Sequence, residues 1–196
     1  RAQRTLGRHL YINGKINPAT WTADDVRRMA DELNAYQPVV LEADPAYLAA
    51  FARRLRDDGL PVHQPALIFL TYSFPSRVYR RLIRSVFQAP MASSYGSTET
   101  GHVFMECEAG RLHQNTRHCR VDFEPWRVEH GGPTLGRMLV SVFDNPWFAK
   151  LPPVIVMSLI VHVAETSRTR LSVAPCLIVA GPSIVSFLPS VRLFVR

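Results

Sequence analysis

Cysteine and clusters of basic residues are both scarce in this chain. Three cysteines in 196 residues are too few for a disulfide scaffold, so they indicate reduced thiols and a cytoplasmic protein. No apolar stretch follows the first basic residues, so no secretory signal is visible. The net charge is +7, but arginines are scattered and form no Lys/Arg-rich run, so we expect no nucleic-acid partner. A nucleotide triphosphate is an equally suitable anionic partner.

Acidic residues are almost absent beyond residue 150. All but one of the 16 Asp and Glu residues precede that position, and the exception is Glu165. Residues 171–191 are uncharged and have the length of a membrane span, but three prolines, one glycine and four serines interrupt them. A membrane span is therefore a poor alternative. We predict an ordered domain over residues 1–150 and an irregular apolar tail over residues 151–196.

Three amphipathic helices can be read from caps and apolar spacing. Thr22 caps the first, Asp44-Pro45 starts the second, and Gly59 ends it. The third begins near Pro75. Its apolar positions are expected to face the core: Val78, Leu82, Ile83 and Val86.

Strand-like runs accompany these helices. The apolar run over residues 66–72 suits a covered strand. Further runs follow at residues 102–106, 119–123 and 137–143. Helices that alternate with buried strands predict an α/β fold. Ligands of such sheets bind at the carboxyl ends of the strands, so polar residues just after a strand are candidates for a site.

The most informative stretch is residues 93–101, with the sequence SSYGSTETG. Its glycines allow a backbone to approach a ligand closely. Its hydroxyls can donate to phosphate oxygens, its aromatic ring offers a stacking face, and its carboxylate can hold Mg²⁺. This set of groups suits a nucleotide site. A polar loop with a chance mixture of turn residues is the alternative, and composition does not decide between the two.

The residues downstream extend this pattern. YGSTETG is followed by Glu106-Cys107, then by Gly110 and Leu112-His113. Together they resemble the phenylacetate–CoA ligase branch of the adenylate-forming enzymes, over about residues 38–148. The resemblance implies part of the large N-terminal domain of such an enzyme, with helices packed on a mostly parallel sheet. Because the chain begins with arginine instead of methionine, a fragment or processed product is expected.

The resemblance also implies a reaction. Members of this family activate a carboxylic acid with ATP and Mg²⁺ and pass the acyl group to coenzyme A. By resemblance, Tyr95 would stack on adenine, while Gly96 and Ser97 would let the backbone pass close to the nucleotide. Thr98 would bind the phosphate and Glu99 would help to hold Mg²⁺, which makes these two the expected catalytic residues. A nucleotide and a carboxylic acid are the expected partners; neither the acid nor the oligomeric state is indicated.

A zinc site is a further expectation of the resemblance. Some members of the family resemble proteins with a structural zinc. They would bind it through the equivalents of Cys107 and His113 together with a later Cys-x-Cys pair. A structural zinc site normally needs four ligands. The later pair is missing here, and Cys176 alone does not replace it. The alternative to a zinc site is a buried thiol and hydrogen-bonded histidines. The same alternative applies to the neighbouring pair His118 and Cys119.

Aromatic residues at positions 72 and 74 are candidates for lining an acyl pocket, although core packing explains them as well. Relatives often have an acidic residue in this segment, where this chain has Ser73. The support of such a pocket is therefore an open question.

Several parts of the family pattern have no match in this chain. They are the Ser/Thr/Gly-rich triphosphate loop, the Gly-Asp aspartate that binds ribose, and the adenylation lysine of the small C-terminal domain. Loss of one transition-state donor typically costs ~10²–10³ in rate, so we expect the chain alone to be inactive. The alternative is a non-enzymatic remnant or binding module, membrane-associated through residues 171–191.

The tail suggests a change of reading frame. In the resembled family, a segment like residues 145–148 is followed by an Arg-Tyr-x-x-Gly-Asp motif, whereas this chain continues with residues 150–155, KLPPVI. A one-base offset with suitable codons would turn residues 153–155 into a Gly-Asp pair. Resequencing the locus tests this hypothesis, which fails if no offset recovers that pair.

Overall fold

The computed structural model describes residues 4–6, 8–128, 134–143, 154–163 and 192–194. These residues belong to two compact units. The first contains the described residues up to Ser93 and the segment Arg192–Phe194, and the second contains those from Ser94 to Val163. Each unit has its own apolar core. Residue 150 lies outside the described residues, and the domain boundary expected there stays a prediction.

The described residues include three α-helices and eleven strands. The helices are α1 (Ala23–Tyr36), α2 (Pro45–Asp57) and α3 (Arg77–Arg84). The strands are β1 (Thr5–Leu6), β2 (His9–Tyr11), β3 (Val40–Ala43), β4 (Leu67–Leu70), β5 (Met91–Ser97), β6 (Gly101–Glu106), β7 (Leu112–Gln114), β8 (Cys119–Val128), β9 (Thr134–Val142), β10 (Val154–Val163) and β11 (Arg192–Phe194).

The helices begin at the capping residues that the sequence indicates. Thr22 and Asp25 form a capping box, in which each side chain accepts a hydrogen bond from the other residue's amide. The Asp44 carboxylate caps α2 by accepting from two amides of its first turn. In α3 the cap is Ser76, one residue after the proline, and its hydroxyl accepts from the Tyr79 amide. These caps satisfy amides that would otherwise lack partners.

The prediction that Val78 faces the core is wrong. Its side chain is 65% exposed. Ile83 is fully buried, and Tyr79, Leu82 and Val86 pack partly against the core. These positions follow the i, i+3, i+4, i+7 pattern that starts at residue 79, and Val78 lies outside that stripe.

The first unit is an α/β structure, which confirms the expected class. Strands β3, β4 and the start of β5 are parallel, with Leu41 paired to Ile68 and Ile68 to Met91. Helix α2 connects β3 to β4, and α3 connects β4 to β5. On the other side of β3 the pairing becomes antiparallel, in the order β11, β2, β1. The sheet is therefore parallel at its centre and antiparallel beyond it.

Apolar side chains from the helices and from the sheet fill the core of this unit. Each fully buried leucine or isoleucine contributes about 1.5–3 kcal/mol relative to an exposed position. Large side chains with at most 1% exposure include Leu10, Leu33, Leu41, Leu48, Ile68, Ile83 and Phe87.

The second unit is built from antiparallel strands. The end of β5 pairs with β6, and β6 pairs with β7. A separate sheet has the order β10, β9, β8. The Phe143 amide, after β9, donates to the His118 carbonyl just before β8, at 3.0 Å. The small core contains Val103, Phe104, Cys119, Met138, Val140 and Val142.

Two strands, β10 and β11, fall within the segment 151–196 that the sequence predicts to be an irregular tail. The segment 171–191, considered above as a poor membrane span, lies outside the described residues. In the part of the chain that the structure describes, no helix combines the length and apolar character needed to cross a bilayer. The reading-frame hypothesis concerns the gene and stays a prediction.

Candidate functional site

The YGSTETG string forms the tip of a β-hairpin. Tyr95, Gly96 and Ser97 are the last residues of β5, residues 98–100 form the turn, and β6 begins at Gly101. Tyr95 pairs with Phe104 and Gly96 with His102, so a bulge lies between these two pairs. The first half of the string is therefore strand, and only residues 98–100 form a turn. The turn lies at the carboxyl end of β5, where ligands of open α/β sheets commonly bind.

Two positions of this hairpin favour glycine, one absolutely and one by a smaller margin. A Cβ atom at Gly96 would lie 1.8 Å from the carbonyl oxygen of Gly101, a distance that excludes any side chain. Gly101 has a φ of +62°, in the left-handed region that other residues adopt at a cost. A Cβ atom there would also lie 2.9 Å from Nε2 of His118. The two glycines thus allow the strands to close tightly beneath the turn.

Hydrogen bonds between Ser97 and Thr100 close the turn. The Ser97 amide donates to Oγ1 of Thr100 at 3.0 Å, and the Thr100 amide donates to Oγ of Ser97 at 3.3 Å. The two hydroxyl oxygens are also 3.0 Å apart. Thr100 is only 1% exposed, so these bonds satisfy a buried hydroxyl. The turn between them holds Thr98 and Glu99.

Thr98 and Glu99 are exposed at the tip of the hairpin. A hydrogen bond from the Ser97 hydroxyl lowers the pKa of the Glu99 carboxyl, and the Glu99 amide adds to this effect. Glu99 is therefore a carboxylate at neutral pH. The tip presents a hydroxyl and a negative charge to solvent, and both are oxygen groups that can contact a cation or its ligands.

Tyr95 lies below the tip and is half-buried. Its ring packs on Phe104, with centroids 6.2 Å apart and planes inclined by 44°. Both rings belong to the small core of the second unit. Burial raises the pKa of the Tyr95 phenol to about 12, so the hydroxyl keeps its proton at neutral pH. One part of the ring is engaged with Phe104, and stacking on adenine stays a prediction.

The hairpin brings together the five residues of the predicted nucleotide site, but Cys107 and His113 lie elsewhere. Cys107 follows β6, where its amide donates to the Arg111 carbonyl, and His113 lies on β7 opposite Met105. In the described ranges, no group of three or more His, Cys, Asp or Glu residues could hold a metal ion. The zinc site therefore stays a prediction.

Two further residues support the turn of the predicted nucleotide site, and sequence reasoning places neither of them in that role. Thr100 supplies the buried hydroxyl of the turn. His118, which lies 18 positions further along the chain, contacts the Thr100 carbonyl through Nε2 at 2.7 Å. Position 100 falls within the informative string, but no spacing rule points from it to His118. Only the pairing of the strands brings them together.

The aromatic residues considered for an acyl pocket follow β4 in the first unit. Tyr72 is 45% exposed and Phe74 is 44% exposed. Tyr72 also has a φ of +73°, an unfavourable angle for a bulky residue. Their exposure excludes the alternative that both are packed in the core. Their role in acid binding stays a prediction.

Solved proteins with a similar fold include VinN and two CoA ligases. The chain matches VinN with a TM-score of 0.52 at 12% identity, over 70% of this chain and 40% of VinN. It matches 2-hydroxyisobutyryl-CoA ligase, solved in the postadenylation state with 2-HIB-AMP, with a TM-score of 0.53 at 12% identity, over 74% of this chain and 32% of the ligase. For a benzoate CoA ligase from Burkholderia xenovorans the TM-score is 0.52 at 13% identity, over 71% of this chain and 32% of the ligase.

These likenesses establish a shared fold at low identity. The chain spans between 32% and 40% of the length of the three proteins. No protein-family model and no curated protein sequence matches the chain.

Proposed function

We propose that this chain is part of an adenylate-forming acid–CoA ligase of the phenylacetate–CoA ligase type. The observation that carries the proposal is the YGSTETG string at the tip of the β5–β6 hairpin, with Glu99 exposed and ionised. The fold shared with two CoA ligases, one of them solved with 2-HIB-AMP, supports it. Because the chain covers only part of those ligases, we expect the complete reaction to need the parts of the enzyme that this chain does not match.

Glu99 suits the binding of Mg²⁺. Its carboxylate is exposed, and the Ser97 hydroxyl lowers its pKa and so favours the charged form. Mg²⁺ in nucleotide sites is commonly bound by one or two carboxylates together with phosphate oxygens. The neighbouring Thr98 hydroxyl is exposed as well and can donate to a phosphate. The two residues would act together on the triphosphate.

When bound, Mg²⁺ supplies positive charge that stabilises the charge developing at the α-phosphate. The residues of the hairpin bind and orient the nucleotide. Gly96 is exposed, its missing side chain makes room for the Gly101 carbonyl, and the protonated Tyr95 offers a ring face and a hydroxyl donor. The chain has no match to the triphosphate loop or the ribose aspartate, and we expect binding with negligible turnover.

Calorimetric titration of the full chain with ATP, with and without Mg²⁺, tests this function. We expect Mg²⁺ to strengthen binding, and Glu99→Gln to lower the affinity for MgATP about tenfold, equal to about 1.4 kcal/mol. Glu108→Gln is the matched control, because Glu108 is also an exposed carboxylate of the second unit and lies in the turn after β6. We expect this variant to bind like the parent chain.

Two outcomes would contradict the proposal in different ways. ATP–pyrophosphate exchange with aryl acids above background would contradict the expected inactivity while supporting the ligase assignment. No measurable binding of ATP, with or without Mg²⁺, would reject the nucleotide site and leave a non-enzymatic binding module as the function.

A further inference from the structure

We propose that Thr100 and His118 are positioning residues that clamp the turn on which Thr98 and Glu99 are presented. The inference deepens the proposed function and rests on it. Neither side chain needs to contact the nucleotide. Thr100 closes the turn from within, and His118 holds it from the neighbouring segment.

The clamp begins with the orientation of the His118 ring. Its Nε2 atom lies 2.7 Å from the Thr100 carbonyl oxygen. A carbonyl oxygen can only accept, so Nε2 carries the hydrogen. The backbone from which the ring extends is anchored at both ends, because the His118 amide donates to the Asn115 carbonyl and the His118 carbonyl accepts from the Phe143 amide, both at 3.0 Å. The donor is therefore attached to a fixed part of the second unit.

The clamp continues through the hydroxyls. Oγ1 of Thr100 accepts from the Ser97 amide, and Oγ of Ser97 accepts from the Thr100 amide. The two hydroxyl oxygens lie 3.0 Å apart, and the turn residues Thr98 and Glu99 lie between Ser97 and Thr100 in the chain. These hydrogen bonds therefore close the turn that carries the proposed Mg²⁺ ligand. Partners that hold a metal ligand in this way commonly change metal affinity by 10–100-fold when they are removed.

Gly101 allows His118 to come this close. Any side chain at that position would begin 2.9 Å from Nε2, where the ring would have to move. The close approach of the His118 ring to Gly101 and its hydrogen bond to the Thr100 carbonyl therefore depend on each other. This explains how His118, which lies in the loop between β7 and β8, can contact the β5–β6 hairpin.

The test compares variants that break each bond with variants that keep it. His118→Leu removes the donor and His118→Gln keeps an N–H; Thr100→Val removes the hydroxyl and Thr100→Ser keeps it. Thr116→Val and Arg117→Leu are matched controls, since both residues are exposed in the loop before β8. Two quantities are measured on the full chain: the ratio of ATP affinities with and without Mg²⁺, and the NMR order parameters of the amides of residues 98 and 99.

We expect His118→Leu and Thr100→Val to reduce the affinity ratio about tenfold and to lower the two order parameters from about 0.85 to below about 0.6. ATP affinity without Mg²⁺ should fall less than ATP affinity with Mg²⁺, because Glu99 acts through the metal, whereas a general loss of structure would lower both alike. The conservative variants and both controls should behave like the parent chain. If one breaking variant fails to fold, the other still decides the outcome.

The order parameters separate this inference from the function on which it rests. If the parent chain shows no Mg²⁺-dependent binding but the breaking variants mobilise the turn, the nucleotide function fails and the clamp stands. If folded Thr100→Val or His118→Leu leaves both amides as ordered as in the parent chain, the clamp is wrong, whatever the nucleotide affinity.

Discussion

Gly101 meets two separate demands at one position. Its φ of +62° places it in the left-handed region, and its open side allows the His118 ring to lie against the backbone. Gly110 has a similar φ of +70°, but a Cβ atom there would meet only Oε1 of Glu106, at an ordinary 3.6 Å. A comparison of Gly101 with Gly110 therefore separates the cost of the left-handed backbone angle from the cost of the contact with His118.

We expect Gly101→Ala to destabilise the second unit more than Gly110→Ala does. The left-handed angle alone costs about 1–2 kcal/mol for a residue with a Cβ atom, and both variants pay it. The contact with His118 adds about 1 kcal/mol or more in Gly101→Ala, because the ring must move. Urea unfolding monitored by amide signals of the second unit measures both values. Equal losses would show that the ring adapts without cost.

At this scale, sequence analysis points to candidate residues of a site, but not to the contacts that hold those residues in place. The residues from Tyr95 to Glu99 are informative because their types suit a nucleotide and because they are adjacent. Their assigned roles stay predictions. The contact between Thr100 and His118 could not be predicted, because it depends on how β6, β7 and β8 follow one another. No local pattern encodes that contact.

Among the elements of the first unit, Glu32 joins α1 to the segment after β2. Arg4 donates from Nη1 to the Ile12 carbonyl and to Oε2 of Glu32, both at 2.9 Å. Arg28 donates to the same carbonyl at 3.0 Å and to the same carboxylate oxygen at 3.1 Å. Two guanidinium groups thus meet one carboxylate and one backbone oxygen. The arrangement fixes the first strands against the helix.

This arrangement predicts a loss of stability in acid. Burial by itself raises the pKa of Glu32, but hydrogen bonds and attraction from Arg4 and Arg28 outweigh it, so the pKa lies below its usual 4.5. A group whose pKa is lowered in the folded state stabilises the fold above its unfolded pKa, and the contribution disappears as pH falls through the folded value. The stabilisation should therefore be complete at neutral pH and decline below pH 4.5.

We expect Glu32→Gln to remove this part of the pH dependence. At neutral pH the variant should lose about 1–3 kcal/mol, because two cationic donors lose a charged acceptor. Asp31→Asn is the control, since Asp31 is the exposed neighbour on the same helix. Urea unfolding at several pH values measures the effect. An unchanged acid profile in Glu32→Gln would show that other carboxylates dominate it.

Sequence predicts the helices of this unit well and its outer strands poorly. Capping residues such as Thr22 and Asp44 act locally, so the starts of α1 and α2 follow from a few neighbouring residues. The exposure of Val78 shows the limit, because an apolar residue next to a buried stripe satisfies a loose pattern without joining it. Strands β1 and β2, two and three residues long, are too short for a period to be visible.

On the scale of the whole molecule, a late segment of the sequence completes the sheet of the first unit. Strand β11 lies between β2 and β3 and pairs antiparallel with both, through Leu193 opposite Leu10 and Leu41. Its neighbours along the sheet thus come from the beginning of the sequence. Composition could not predict this, because it predicts an irregular tail for residues 151–196.

We expect removal of residues 192–196 to open this part of the sheet. The backbone groups of β2 and β3 that pair with β11 would lose their partners, so their amides should exchange faster with solvent. Hydrogen-exchange mass spectrometry of peptides covering residues 9–11 and 40–43 measures the change. Residues 67–70 in β4 provide the internal control, because β4 pairs with β3 and β5 instead. Unaltered exchange in β2 and β3 would contradict this position of β11.

The position of β11 also has a consequence for biosynthesis. About 150 residues separate β3 from β11, and a ribosome adding about 5–20 residues per second needs on the order of ten seconds to translate them. For that interval the nascent chain holds β2 and β3 without the strand that joins them. Unpaired strand edges favour aggregation, so the newborn chain passes through a period in which chaperones have a defined surface to shield.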